Sequence, residues 1–526
     1  MSANSASVSW AVRLSDQAAT EHLAQLIAGE TRAGDLITLS GDLGAGKTTF
    51  ARAFVRAFAQ DPELEVPSPT FTLMQTYEAE RGTVVHADLY RISDPEELDY
   101  MGWDEAIDNA AVLVEWPDKA GDYLSENRLD IHLRLVPGFD GERVAVLTGS
   151  GTRAARLTEL KTVRTVLDRA GWGNAQRKPI YGDASSRLYE RLTRPDGETA
   201  ILMFSPPRPK VATYRSEKPY HVVARLSDSV NAFVAVDRGL RALGFSAPVI
   251  YGHDLEAGLL LVEDLGTDGF VDASGPIPER YAEAVRVLAK LHASNVPDVL
   301  PVAEGIEHEI PPYDAEALMV EVGLLLEWYL PHRAGRFVPN AGRDAFSQIW
   351  TGLLNHVTFP QLTSSQHASP QPTWALRDFH SPNLIWLKDR NGLARVGLID
   401  FQDAVMSHPA YDLASLLQDA RVTVSPELEL KLLALYAQER HARDPAFDVK
   451  ELTRAYAIMG AQRATKLLGL FVRLDKRDGK PAYLAHLPRI GEYLRRNLAH
   501  PDLSELRGWF EVHLPQLAMA EVERHF

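Results

Sequence analysis

The chain has 526 residues, 45% hydrophobic and 24% charged, too long for one ordinary domain and too apolar to be mainly disordered. It has no cysteine, which excludes disulfide scaffolds, thiolate metal sites, iron–sulfur clusters and cysteine nucleophiles. The net charge of −16 is uneven: residues 1–150 hold 25 Asp and Glu against 11 Lys and Arg, a net of −14, and the rest is nearly neutral at −2.

So acidic a segment is poorly suited to bind nucleic acid unaided, and a protein partner is the better expectation. The charge shift also predicts domains over 1–150 and 151–526. The opening MSANSASVSWAVRLS has neither a basic nor an apolar leader region. Glu321 and Glu327 interrupt the most apolar stretch, 317–330. A cytoplasmic location is expected.

In chain order, Glu21–Ala28 has helical spacing, and Leu36–Leu39 reads as a buried strand entering a glycine-rich turn. Thr48–Phe58 reads as a helix, with strands at Thr83–Val85 and Ala111–Val114. Ile131–Val136 and Val144–Leu147 flank Pro137–Gly138 and Asp140–Gly141, predicting a hairpin. This is an α/β pattern, and the small, polar Thr148–Ala155 reads as a linker. Beyond it come a helix at Leu157–Ala170 and paired strands at Tyr181–Arg194 and Thr199–Phe204. A second strand pair surrounds His253–Asp254. After residue 279 helices dominate, apart from Trp374–Leu387 and Arg395–Phe401. The outline is an α/β domain followed by a bilobal, protein-kinase-like α+β domain.

Gly41-Asp-Leu-Gly-Ala-Gly-Lys47-Thr48 fits G-x-x-x-x-G-K-[ST] between a predicted strand and a predicted helix. Glycines let backbone N–H groups point inward at the start of a helix, where anions are favoured. Gly41, Gly44, Ala45, Gly46, Lys47, Thr48 and Thr49 are therefore candidates to hold ATP, with the Thr48 hydroxyl on Mg²⁺. Glu115, ending the apolar run Ala111–Val114, is a second candidate Mg²⁺ ligand.

Together with GDLGAGKTT, the stretches VPSPTF (66–71), HADLYR (86–91) and EWP (115–117) stand in the order and spacing of one family. Residues 1–150 resemble the bacterial tRNA threonylcarbamoyladenosine biosynthesis ATPase family, TsaE. The resemblance implies an ATPase that joins a two-protein threonylcarbamoyl-transfer complex (TsaB/TsaD-like), which itself handles tRNA. By motif, Thr70 resembles a switch threonine near Mg²⁺ and Trp116 an aromatic beside the metal-binding Glu115. Asp88 resembles a carboxylate able to orient the attacking water. His86 reads better as a hydrogen-bonded core histidine.

In the second half, Asp378-Phe-His-Ser-Pro-Asn383 has the D-x-x-x-x-N spacing of kinase catalytic loops. There the aspartate takes the acceptor hydroxyl's proton and the asparagine holds Mg²⁺. Asp400, closing the apolar Leu398–Ile399, stands where a second Mg²⁺-binding aspartate is needed. These motifs resemble the aminoglycoside phosphotransferase family. GDASSRLYER (182–191), EDLG (263–266), RDFHSPNL (377–384), YDLASL (411–416) and Gln462-Arg463 resemble its anomeric amino-sugar kinase branch. That branch phosphorylates the C1 hydroxyl of N-acetylmuramate or N-acetylglucosamine in cell-wall recycling. Asp264 would mark the hinge where backbone groups hold adenine, and Asp412 resembles a carboxylate that anchors the catalytic loop.

The strand that usually carries an ATP-binding lysine reads Ala200–Phe204 and has none. Arg187, Arg191 or Lys210 are the candidate replacements. An inactive kinase-like scaffold, or an acceptor of another kind, stays open at this level. His380 reads as packing or bonding the loop, and Trp328 as core.

Overall fold

The computed structural model describes residues 7–139, 141–180, 187–205, 218–359 and 371–518. The chain divides into two compact units, Met1–Asp168 and Arg169–Phe526.

The first unit carries seven strands: β1 (Val8–Leu14), β2 (Leu36–Ser40), β3 (Met74–Ala79), β4 (Gly82–Asp88), β5 (Ala111–Glu115), β6 (Leu129–Leu135) and β7 (Arg143–Gly149). They lie in the order β1-β7-β6-β2-β5-β4-β3. β2 runs parallel to β5 and β6, and β4 parallel to β5. The outer pairs are antiparallel, including the expected β6–β7 hairpin. β2 and β5 read as unbroken apolar runs because central parallel strands are covered on both faces; Ile37, Leu39, Ala111 and Leu113 are fully buried. The helix Lys47–Ala59 turns Phe50, Phe54 and Phe58 into this core at spacing i, i+4. Each buried phenylalanine contributes roughly 1.5–3 kcal/mol.

The boundary expected at residue 150 lies further along the chain. The helix Thr152–Arg169 belongs mostly to the first unit. Leu157 and Leu160 join its core, and Arg153 and Arg156 reach Asp35 at 2.7 and 2.8 Å. The segment read as a linker is thus a strand end followed by a helix. Gly149 is required there for close approach, since a Cβ would sit 2.7 Å from the Arg153 carbonyl oxygen.

The second unit opens with a five-stranded antiparallel sheet: β8 (Gln176–Ile180), β9 (Leu188–Thr193), β10 (Thr199–Phe204), β11 (Ile250–Asp254) and β12 (Leu259–Glu263), in the order β11-β12-β10-β9-β8. Its pairings are antiparallel throughout. A larger helical lobe follows, built on Pro278–Leu291, Pro426–Arg443 and the 30-residue helix Val449–Asp478. This is the bilobal, protein-kinase-like arrangement. A hairpin, Val299–Ala303 with Ile306–Glu309, interrupts the expected helical run at Gly305, whose φ of 71° favours glycine. Trp328 is partly buried against the core. No helix among the described residues is long and apolar enough to cross a membrane.

Candidate functional site

In the first unit the glycine-rich turn leaves β2 and enters the helix at Lys47. Gly41 has φ 134°, and a Cβ there would lie 2.2 Å from the Leu133 carbonyl oxygen. Position 41 is therefore a close approach at which only glycine is accommodated. Gly44 and Gly46 also have positive φ, 80° and 104°. Arg143 steadies the turn by donating from Nε to the Ala45 carbonyl at 2.8 Å.

Lys47 is buried, donates from Nζ to the carbonyls of Gly41 (2.8 Å) and Asp42 (3.0 Å), and lies 3.8 Å over the Trp116 ring. Burial lowers its pKa, outweighing the opposite pull of Glu115, Asp88 and Asp42. Thr48 Oγ1 donates to Glu115 Oε2 at 3.2 Å, and His86 Nε2 sits 3.0 Å from Glu115 Oε1. His86 is thus a buried partner of Glu115, as a hydrogen-bonded core histidine should be. Asp88 lies directly opposite Glu115 in the β4–β5 register. It accepts from Thr70 Oγ1 (2.9 Å), Ser68 Oγ (3.0 Å) and Tyr90 N (3.1 Å). Lys47, Thr48, Thr70, Asp88 and Glu115 are brought together. Ser68 was not singled out in the sequence, although it stands within VPSPTF beside Thr70.

In the second unit two short ladders flank the predicted catalytic loop, Leu384–Trp386 with Val396–Leu398 and Thr373–Ala375 with Val405–Ser407. Arg377 and Asp400 both adopt positive φ, 65° and 59°, unusual for residues with side chains. Asp412 holds the first of these bends by accepting from the N–H groups of Leu376 (2.6 Å) and Arg377 (3.0 Å). Its burial still raises its pKa to about 7. Asn383 Nδ2 donates to the Asp378 carbonyl at 3.0 Å and to Asp400 Oδ2 at 3.4 Å, joining the three predicted residues.

Burial works against ionisation of Asp378, but His380, Arg463, Lys466 and Arg377 outweigh it and hold its pKa low. Asp400 shifts the other way, raised by burial and by the negative charge of Asp378. A pair of half-buried carboxylates kept close at an electrostatic cost is what a hard cation relieves, and the oxygen donors of Asn383 and Asp400 fit Mg²⁺. His380 does not bond the loop with its side chain; its Nε2 lies 3.8 Å from Asp378 Oδ1 and 3.4 Å from Arg421.

Asp264 follows the last residue of β12, and its carboxylate receives Arg191 at 2.7 Å and the Gly266 N–H at 3.0 Å. Of the candidate replacements for the lysine, Arg191 is thereby engaged. Arg187 Nη1 lies 3.2 Å from Asp400. Lys210 and the turn Gly182–Ser186 lie outside the described residues. Glu321, which interrupts the apolar stretch 317–330, is buried and receives Arg377 at 2.6 Å and Lys466 at 2.8 Å, and also bonds Tyr313 and Gln462.

Comparison with known proteins finds relatives for each of the two units. The model of the phosphotransferase enzyme family matches residues 176–446. That of the threonylcarbamoyl adenosine biosynthesis protein TsaE matches residues 14–138. An N-acetylmuramate/N-acetylglucosamine kinase of Caulobacter vibrioides is 37% identical over 66% of this chain and 94% of its own. One from Neisseria meningitidis is 31% identical over 60% and 83%. A TsaE protein of Rickettsia conorii is 38% identical over 23% of this chain and 70% of its own. The chain belongs to both families. It is an enzyme that combines a TsaE-type P-loop ATPase unit with a phosphotransferase unit of the amino-sugar kinase type.

Proposed function

We propose that the second unit transfers the γ-phosphoryl group of ATP to the anomeric hydroxyl of N-acetylmuramate or N-acetylglucosamine, in the recycling of cell-wall sugars. The observation that carries this reading is Asn383, which ties Asp378 to Asp400. Asp378, held ionised by the surrounding cations, accepts the proton of the C1 hydroxyl as its oxygen bonds to phosphorus. The bond to the β–γ bridging oxygen breaks, and ADP leaves. Asn383 and Asp400 would hold Mg²⁺, which neutralises charge on the ATP phosphates. Arg187 supplies the positive charge that β10 lacks. An anomeric hydroxyl is more acidic than an ordinary alcohol, so one carboxylate is a sufficient base.

The first unit, in this reading, hydrolyses ATP in support of threonylcarbamoyladenosine formation in tRNA. Gly41, Gly44, Ala45, Gly46, Lys47 and Thr49 would bind the nucleotide phosphates, and Thr48, Thr70 and Glu115 would hold Mg²⁺. Asp88 would orient the attacking water. Its acidic surface would meet TsaB/TsaD-like partners, with tRNA handled by them. A cytoplasmic location fits both activities.

The test incubates the full chain with ATP, Mg²⁺ and either sugar and detects sugar 1-phosphate by mass. Product should vanish with Asp378→Asn and persist with Lys47→Ala. Product that survives Asp378→Asn rejects the assigned base, and no product from either sugar rejects the acceptor.

A further inference from the structure

The surroundings of Asp378 are cationic, and the buried cations Arg377, Arg463 and Lys466 are held by protein groups. Arg377 and Lys466 share the buried Glu321. Arg463 is buried against the Arg377 carbonyl (3.3 Å) and the Tyr411 hydroxyl (3.4 Å). The Asp419 carboxylate is taken by the N–H (2.9 Å) and hydroxyl (2.6 Å) of Ser381 and by the Arg421 N–H (2.8 Å).

Arg421 is less buried than these three cations. Its half-buried guanidinium meets the His380 imidazole at 3.4 Å, and among the described residues no carboxylate lies within ion-pairing distance of it. The same His380 Nε2 is 3.8 Å from Asp378 Oδ1. Guanidinium and general base therefore both lie close to the same imidazole nitrogen.

The loop that presents Arg421 is fixed on both sides. Asp419 ties it to the catalytic loop through Ser381. Arg489 donates to the Ala420 carbonyl at 2.6 Å, and the Tyr493 hydroxyl binds the Val422 carbonyl (3.1 Å) and the Val424 N–H (3.0 Å). A preorganised, partly desolvated guanidinium without a counter-charge is an arrangement that a carboxylate completes with charge-assisted hydrogen bonds.

We propose that Arg421 receives the carboxylate of an acidic amino sugar and sets the preference between acidic and neutral acceptors. The inference rests on the proposed kinase reading. N-acetylmuramate carries a lactyl carboxylate on O3, two ring carbons from the reacting C1, and N-acetylglucosamine carries none. With the neutral sugar, Arg421 keeps only His380 and solvent.

The test compares kcat/KM for N-acetylmuramate, its methyl ester and N-acetylglucosamine in the full chain and in Arg421→Ala and Arg421→Lys. Losing a charge-assisted pair predicts that Arg421→Ala lowers the ratio of acidic to neutral sugar by about 10- to 100-fold, through KM. Arg421→Lys should recover part of it, and the methyl ester should not distinguish the variants. An equal fall for all three acceptors, or an unaltered ratio, overturns the proposal and leaves Arg421 a support for His380. Wild-type protein that phosphorylates none of them overturns the kinase reading instead, and this inference with it.

Discussion

Arg187 places its guanidinium 3.2 Å from Asp400 Oδ1 and 3.9 Å from Asp403 Oδ2. Although burial opposes its charge, these two carboxylates hold its pKa above the ordinary arginine value. The strand that would carry a lysine in other kinases, β10, is instead apolar, with Ala200, Leu202 and Met203 buried. A cation is therefore present beside Asp400 but arrives from the start of β9. Removing one such group from a phosphoryl-transfer site costs roughly 10²- to 10³-fold. Arg187→Ala should lower kcat/KM for ATP on that scale, whereas Arg191→Ala, which releases only Asp264, should cost far less. Steady-state kinetics with ATP varied decide this; equal effects would remove Arg187 from the phosphate site.

Glu321 is fully buried and carries the charge balance of Arg377 and Lys466. Burial alone would raise its pKa, but the two cations reverse the shift and hold it below the ordinary value. Removing one partner of such a network leaves uncompensated buried charge, at a cost of about 3–5 kcal/mol. Glu321→Leu should depress the unfolding transition of the second unit and leave that of the first in place as an internal reference. Calorimetry of the full chain reads both. The triple change Glu321→Met, Arg377→Met, Lys466→Met should recover much of the loss, because it removes the charges together.

Lys47, Asp378 and Asn383 stood out because their motifs are short, with spacing set by one loop, and Asp400 because it closes an apolar run. The strand Leu36–Leu39 and the Ile131–Leu147 hairpin were legible from apolar runs and turn residues. Other features have no local signature. Glu321, Arg377 and Lys466 meet only in the folded chain, and Arg421 gains its meaning from Asp419 being occupied elsewhere. Thr148–Ala155 was misread because small residues also serve close packing, as Gly149 does against Arg153. β1 escaped because an edge strand, alternately exposed and half-buried, carries a weak apolar signal.

Asp237 lies on the helix Val230–Ala242, is 1% exposed, and has a buried Oδ1 without a hydrogen-bond partner. Burial raises its pKa to about 7 from an ordinary 3.8, against the pull of Arg241 and Arg238. Between those values the folded state keeps a proton that the unfolded chain has released, so this group's contribution to stability falls as pH rises. Above about 7 both states are ionised and the loss is complete. Asp237→Asn should therefore stabilise the second unit at pH 8, by up to roughly 4 kcal/mol. The gain should shrink on acidification and disappear near pH 4. Denaturant unfolding at several pH values reads this, and a gain independent of pH would refute it.

Gly41 and Gly44 separate two reasons for glycine in one loop. At Gly44 a Cβ meets nothing within 4 Å, so Gly44→Ala pays only for its φ of 80°, roughly 1–2 kcal/mol of backbone strain. At Gly41 the φ is 134° and the Leu133 carbonyl oxygen lies 2.2 Å from the Cβ position. That oxygen belongs to β6, which β7 and β2 hold on either side, so it has little room to yield. Gly41→Ala should therefore displace the whole cradle and abolish ATP hydrolysis by the first unit, with Gly44→Ala retaining a measurable fraction. Sugar phosphorylation should persist in both. Phosphate release without sugar, measured beside sugar 1-phosphate formation, gives the two readouts in one preparation. Equal hydrolysis in the two variants would show that contact with β6 does not set the shape of the loop.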